Sequence, residues 1–233
     1  MAGVIPPVIV ALDVPSLSLA EALVDRLDER CEFYKVGLQL FSAAGPQAVE
    51  MLRYRSKRVF LDLKLHDIPN TVRGAARAAA GLGAALLSVH ASGGRAMLEA
   101  AVDGAGGDCR VLAVTLLTSL DGNAVSEVWG RPVESPEAEV LRLVDLAASA
   151  GVSGVVCGGS ELRAVRSRHG ERLELLVPGI RAVGAALNDQ ARAVTADAAA
   201  RDGASYLVVG RPVTEAADPA AALEAIQASI APL

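Results

Sequence analysis

Aromatic side chains are scarce in this chain: one Trp, three Tyr and three Phe among 233 residues. Recognition of single strands by stacking bases on ring faces is therefore not expected. Basic charge is not in excess either. Lys and Arg number 22 against 27 Asp and Glu, a formal net charge of −5, so no cationic surface for nucleic acid or anionic lipid is expected. Cysteine is limited to Cys31, Cys109 and Cys157, which are far apart and odd in number. They form neither a disulfide framework nor a zinc pattern, and read as buried free thiols of a reducing compartment. His66, His90 and His169 lack metal-ligand spacing. No apolar run reaches the roughly 18 residues of a transmembrane helix. The opening Met-Ala-Gly-Val-Ile-Pro-Pro has neither the basic segment nor the long apolar core of a secretory leader. The expectation is a cytoplasmic protein with no membrane or nucleic-acid partner.

Aliphatic residues are abundant. The chain is 52% hydrophobic, enough for one large core, and no linker or low-complexity tract divides it, so residues 1–233 are expected to be one domain. Short β-rich runs alternate with Ala/Leu-rich helical stretches. The strand candidates are Val8–Asp13, Glu32–Leu38, Arg58–Lys64, Ala85–His90, Arg110–Thr115, Gly154–Cys157, Leu173–Val177 and Tyr206–Val209. The amphipathic stretches are 17–29, 45–54, 70–82, 95–104, 136–150, 160–168, 188–202 and 219–230. Ser16, Pro69-Asn70-Thr71 and Ser135-Pro136 supply helix starts. Such alternation implies a parallel sheet covered by helices. About eight repeats in a chain of this length favour a closed (β/α)8 TIM barrel over an open doubly wound sheet. The open sheet normally has a Gly-rich turn after its first strand, where this chain has Asp13-Val14-Pro15-Ser16.

In such barrels the active site lies at the C-terminal strand ends. Polar and charged groups collect there: Asp13, Lys35, Asp62 with Lys64, His90, Pro178-Gly179-Ile180-Arg181 and Gly210-Arg211-Pro212. The densest stretch runs from Asp62 to Thr71. The period of two along a strand puts Asp62 and Lys64 on one face and Leu61 and Leu63 on the other. Three readings are open for this charge: a solvated face, a structural ion-pair cluster, or a site. A parallel sheet covered on both sides offers no solvated face, and buried ion pairs are a poor source of stability, which favours a site. Asp13 fits either a helix N-cap or an acceptor for a ligand hydroxyl. Gly210-Arg211 and Arg181, on adjacent strand ends, fit a phosphate anchor. His66 and His90 have room to approach each other at the rim, but a hydrogen-bonded structural role is the favoured reading; His169 is expected to lie on the surface, and Gly93-Gly94 and Gly158-Gly159 to make turns.

With these residues assembled, the chain closely resembles the orotidine 5′-phosphate decarboxylase family over essentially its whole length. The family pattern D-x-K-x-x-D-I-P-x-T stands as Asp62-Leu-Lys64-Leu-His-Asp67-Ile-Pro-Asn-Thr71. Around it, in order, stand Ala11-Leu-Asp13, Lys35-Val-Gly37, Val89-His-Ala-Ser-Gly-Gly94, Leu117-Thr-Ser119, Pro178-Gly-Ile-Arg181, Asp189-Gln190 and Val209-Gly-Arg-Pro-Val-Thr214. The resemblance implies that Asp13 and Lys35 hold ribose hydroxyls and that Lys64 donates the proton to C6 of the pyrimidine. It puts Asp62 beside the substrate carboxylate and has Asp67 and Thr71 reach into the site of a partner subunit. Thr118, with Ser119 beside it, would contact the pyrimidine, and Gln190 would bridge base and phosphate. Arg181, Gly210 and Arg211 would bind at or near the phosphate. It implies a homodimer that turns orotidine 5′-phosphate into UMP with no cofactor and no metal. The chain departs from the family in two places: the apolar segment Ala182-Val-Gly-Ala-Ala-Leu187, and Leu65, where an aromatic residue is common.

Two rival readings keep the barrel. The related sugar-phosphate decarboxylases and hexulose-phosphate synthases share the D-x-K strand but use Mg2+, and would need a further acidic ligand on the second strand, where Lys35 stands. A phosphate-ligand-binding barrel without catalysis is disfavoured because every charge of the cluster is present.

Overall fold

The computed structural model describes residues 5–181 and 194–230, with Arg181 described in its backbone only. Each repeat gives a strand and its helical return. These are β1 (Val8–Ala11) and α1 (Leu17–Leu27), β2 (Phe33–Gly37) with α2 (Leu38–Ala44) and α3 (Gln47–Tyr54), and β3 (Arg58–Leu65) and α4 (Pro69–Gly81). Next come β4 (Leu86–His90) and α5 (Arg95–Ala105), β5 (Arg110–Val114) with α6 (Gly122–Trp129) and α7 (Pro136–Ser149), and β6 (Gly154–Val156) and α8 (Leu162–His169). After β7 (Glu174–Val177), β8 (Ile180–Arg181) pairs in parallel with β9 (Val194–Thr195), which leads into α9 (Ala196–Arg201). Then follow β10 (Tyr206–Val209), α10 (Arg211–Thr214) and α11 (Pro219–Ile230). The strands close in the order β1-β10-β7-β6-β5-β4-β3-β2, every neighbour parallel. The expected (β/α)8 barrel is borne out as a single domain.

The expected helix starts have a local cause. Ser16 and Ser135 accept the N–H groups of Leu19 and Ala138, satisfying donors that a first turn leaves open. Pro69 occupies the first turn of α4, and Ile68 before it is extended, as a residue preceding proline prefers. Five short elements were not expected: α2, α6, α10 and the paired strands β8 and β9. The signals of α6 are present in the sequence, since Asp121 caps it and Gly130, at φ 62°, ends it in the left-handed conformation. The helical stretch expected over 188–202 is described only from residue 194, where a strand precedes Ala196–Arg201; its beginning lies outside the described residues.

Alternation along the strands sorts the side chains into two cores. Val8, Val10 and Leu12 of the first strand and its loop face the helices. Ile9, Phe33, Phe60, Leu86, Leu112 and Leu176 fill the barrel axis, so the interior is packed. At the N-terminal end of this filling, Glu174 pairs with Arg110 and accepts from the Tyr206 hydroxyl at 3.0 Å. The Arg58 guanidinium lies 4.1 Å from the centre of the Phe33 ring, which meets Tyr206 edge-on at 6.1 Å. The three cysteines are buried thiols, not joined in a disulfide.

His169 corrects one expectation. It is 9% exposed, and its Nε2 is 3.0 Å from Asp145 Oδ1, linking α8 to α7. The flanking Arg166 and Arg168 gave the segment a surface character that its helical phase overrides.

Candidate active site

The inward face that carries the axial filling ends, at the C-terminal end of the strands, in charge. Phe33 is followed two residues on by Lys35, and Phe60 by Asp62. Lys35 Nζ donates to Asp13 Oδ1 at 2.7 Å and is 3.6 Å from Asp62 Oδ2. Lys64 Nζ donates to the same Asp62 Oδ2 at 2.7 Å. The four side chains form one row of alternating sign from three adjacent strands. Lys35 is 8% exposed and Asp62 7%, so neither charge is solvated by bulk water. Burial pushes the Asp62 carboxyl up, but the Lys35 and Lys64 ammonium groups and the hydrogen bonds from Lys64 and Ser88 outweigh it and hold it below the usual carboxylate range.

Two backbone features make room for the row. Gly37, in line with Lys35 on β2, has no side chain where one would collide. An added Cβ would lie 2.6 Å from Asp13 Oδ1 and 2.7 Å from Lys35 Nζ. Lys64 has φ +50°, a left-handed conformation that costs a residue with a side chain about 1–3 kcal/mol. The β3–β4 register also shifts there: Leu61 pairs with Leu87, yet Leu65 pairs with Val89. This bulge re-aims Lys64 toward the axis. Leu61 and Leu63 pack outward, as the period of two requires.

The row opens on a cavity of about 560 Å³, a size suited to a small ligand such as a nucleotide. Asp13, Lys35, Asp62 and Lys64 line one side of it and Gly210 and Arg211 another. Thr118, between Leu117 and Ser119 in the segment after β5, lines it too. Seven of the expected site residues thus meet around one space. Ser16, not Asp13, caps α1, leaving Asp13 to the rim. Asp67 and Thr71 do not line the cavity of their own chain. Residues 66–71 are all exposed, and Asp67 Oδ1 accepts only the adjoining Ile68 N–H, at 2.6 Å, among its described hydrogen bonds. Arg181 is placed by its backbone in β8, paired with Thr195. Gln190 and the apolar segment 182–187 lie outside the described residues.

The cavity also joins two distinct chemistries. Polarity concentrates in the charged row and at Gly210-Arg211, while Ala11, Val114, Val156 and Val208 give an apolar floor. A flat, partly apolar ring linked to an anion would match that division. His66 and His90 do approach each other, with ring centres 5.4 Å apart. Burial lowers the His90 pKa, and the positive charges of His66 and Lys64 lower it further.

Comparison with known proteins agrees with this geometry. Residues 6–226 match the family model described as Orotidine 5′-phosphate decarboxylase / HUMPS family. The chain belongs to this family. It is 53% identical over 220 residues to the orotidine 5′-phosphate decarboxylase of Anaeromyxobacter sp. (strain K), covering 94% of this chain and 96% of that protein. It is 52% identical over 231 residues to the orotidine 5′-phosphate decarboxylase of Halorhodospira halophila, covering 97% and 96%. The crystal structure of orotidine 5′-phosphate decarboxylase from Lactobacillus acidophilus superposes with a TM-score of 0.86 at 36% identity, covering 97% of this chain and 99% of that one.

Sequence reasoning missed one polar group in this family site. Ser88 is fully buried on β4, donates to Asp62 Oδ1 at 2.7 Å and accepts the Lys64 backbone N–H at 2.8 Å. Its signal was a hydroxyl two residues before His90 inside an apolar strand. Leu65 is partly buried against the outer core, so the departure from an aromatic residue falls at a packing position.

Proposed function

We propose that this protein decarboxylates orotidine 5′-phosphate to UMP and CO2, using its own side chains, as a homodimer with shared sites. The observation that carries the reading is the row Asp13–Lys35–Asp62–Lys64 facing the same cavity as Gly210 and Arg211. A phosphate at Arg211 and ribose hydroxyls at Asp13 and Lys35 would set the pyrimidine between Thr118 and Lys64. The C6–carboxylate bond breaks, its electron pair stays on C6, and CO2 leaves. The Lys64 ammonium stabilises that charge and then gives C6 its proton, and solvent reprotonates Lys64. Asp62 holds the Lys64 ammonium in place through their 2.7 Å contact and repels the substrate carboxylate until CO2 departs; fixed electrostatics ranks above that repulsion. Arg181 and Gln190 complete the phosphate and base contacts in this reading.

The donor set supports side-chain catalysis over the Mg2+-dependent alternative. Lys35 and Lys64 occupy the positions beside Asp13 and Asp62 where a divalent ion would need carboxylates. The deciding assay follows loss of orotidine 5′-phosphate absorbance with and without EDTA. Turnover unaffected by EDTA is expected; no turnover, or turnover abolished by EDTA, overturns the reading.

The exposed stretch 66–71, with Ile68 at 67% exposure, supports the shared site. A second copy covering it would bring Asp67 and Thr71 to the partner's cavity. Mixed subunits test this. Lys64→Ala and Asp67→Ala chains are each expected to be inactive alone, yet a heterodimer would hold one intact site and regain activity. Verified heterodimers without activity would refute sharing.

A further inference from the structure

Ser88 lies in the middle of β4 with no solvent exposure, between the buried Leu87 and Val89. A hydroxyl so placed has to find partners within the protein, and it finds one of each kind. Its O–H donates to Asp62 Oδ1, and its oxygen accepts the N–H of Lys64. Both lysines hold the other carboxylate oxygen, Oδ2. Ser88 is therefore the group that fixes the rotation of the carboxylate. It also receives the backbone N–H of a residue in the left-handed conformation, at the point where the bulge interrupts the β3–β4 register.

We infer that Ser88 is a positioning residue whose hydroxyl holds the Asp62 carboxylate and the Lys64 turn in one arrangement, so that the Lys64 ammonium enters the cavity in a single orientation. Ser88 does not itself line the cavity; it acts through Asp62 and Lys64, which do. A ligand-bearing atom displaced by about 1 Å costs up to about 100-fold in rate, which sets the scale of the effect. The activity readout rests on the decarboxylase reading; the geometry does not.

The groups facing Asp62 are Lys35 from β2, with Asp13 of the β1 end behind it, Lys64 from β3 itself, and Ser88 and His90 from β4, with His66 beside His90. Ser88 supplies a neutral donor to the ionised carboxylate. Its removal should move Asp62 ionisation to higher pH, whereas a packing defect alone would not.

The test compares Ser88→Ala with the isosteric pair Ser88→Thr and Ser88→Val. Ser88→Ala is expected to lose about 10- to 100-fold in kcat with KM changed less than about threefold. The acid limb of kcat should move to higher pH, along with the Asp62 side-chain 13C titration in the ligand-free protein. Ser88→Thr and Ser88→Val carry the same added bulk, so Thr should exceed Val about tenfold or more in kcat if the hydroxyl matters. Unchanged kcat in a folded Ser88→Ala, a loss without any change in Asp62 titration, or equal rates for Thr and Val would each overturn the inference. Should Ser88→Ala fail to fold, the Thr–Val pair decides. Should the parent protein not turn over orotidine 5′-phosphate, the functional reading fails while the Asp62 titrations of the Thr and Val variants still decide the role of Ser88.

Discussion

The two ends of the barrel axis both hold charge, and they hold it differently. At the N-terminal end Arg110 meets Glu174, and Arg58 lies over Phe33. Each charge there faces an opposite charge or a ring, and Tyr206 adds a hydrogen bond to Glu174. At the C-terminal end Asp62 serves two lysines at once, and the row faces a cavity. One end spends its polar groups on each other; the other keeps them aligned toward a space. Desolvation makes the second arrangement costly as a source of stability, so the difference separates a structural plug from a site.

Four substitutions break or sharpen that contrast. The largest effect is expected from Lys64→Ala: on the proposed mechanism turnover falls by about 10,000-fold or more, while UMP affinity and the folded circular dichroism spectrum remain. Near-normal turnover would remove Lys64 from the chemistry. Arg211→Ala, across the same cavity, is expected to lower kcat/KM by about 10- to 100-fold, the worth of a charged hydrogen bond. With the phosphate-free nucleoside the variant and parent should converge; a persistent gap would place the phosphate elsewhere. At the opposite end Glu174→Gln should cost about 1–3 kcal/mol in chemical denaturation and leave kcat within about twofold. A large kcat loss there would mean that the two ends are coupled.

The smallest effect concerns acid. Folding lowers the His90 pKa, so the unfolded chain takes up protons first. The stability contributed is full above the ordinary histidine value of about 6.5 and is lost as pH falls below it through the folded value. Asp62 behaves likewise in a lower window, below the usual carboxylate range. Replacing His90 by Gln should flatten the denaturation midpoint against pH just below about 6.5 and leave the more acidic decline in place. An unchanged slope in both windows would show that His90 does not titrate during unfolding.

The barrel and the charged row were legible because each rests on local periodicity. Alternating runs announced the strands, and Lys35, Asp62 and Lys64 stood out as charge in strands that a parallel sheet buries. The resemblance added roles to residues already singled out. What stayed hidden depends on contacts between elements. Ser88 is one neutral hydroxyl in an apolar strand, and its importance appears only when β4 lies beside β3. His169 looked exposed because its neighbours are basic, while helical phase turned it toward Asp145. The left-handed turn at Lys64 had no sign at all, since lysine is not a residue that favours it. α2 and α10 were missed for another reason: they are short, and each directly follows a glycine, Gly37 at the end of β2 and Gly210 just after β10, where the sequence reads as loop.

The missing side chain at Gly37 leaves this protein with a built-in constraint on its history. The first ion pair of the row occupies the volume that any other residue at that position would need. Asp13, Lys35 and Gly37 are therefore linked: alanine at the glycine would force the Asp13 carboxylate and the Lys35 ammonium to shift before any charge has changed. A single methyl group, chemically inert, would thus reset the geometry of the row without removing any of its charges.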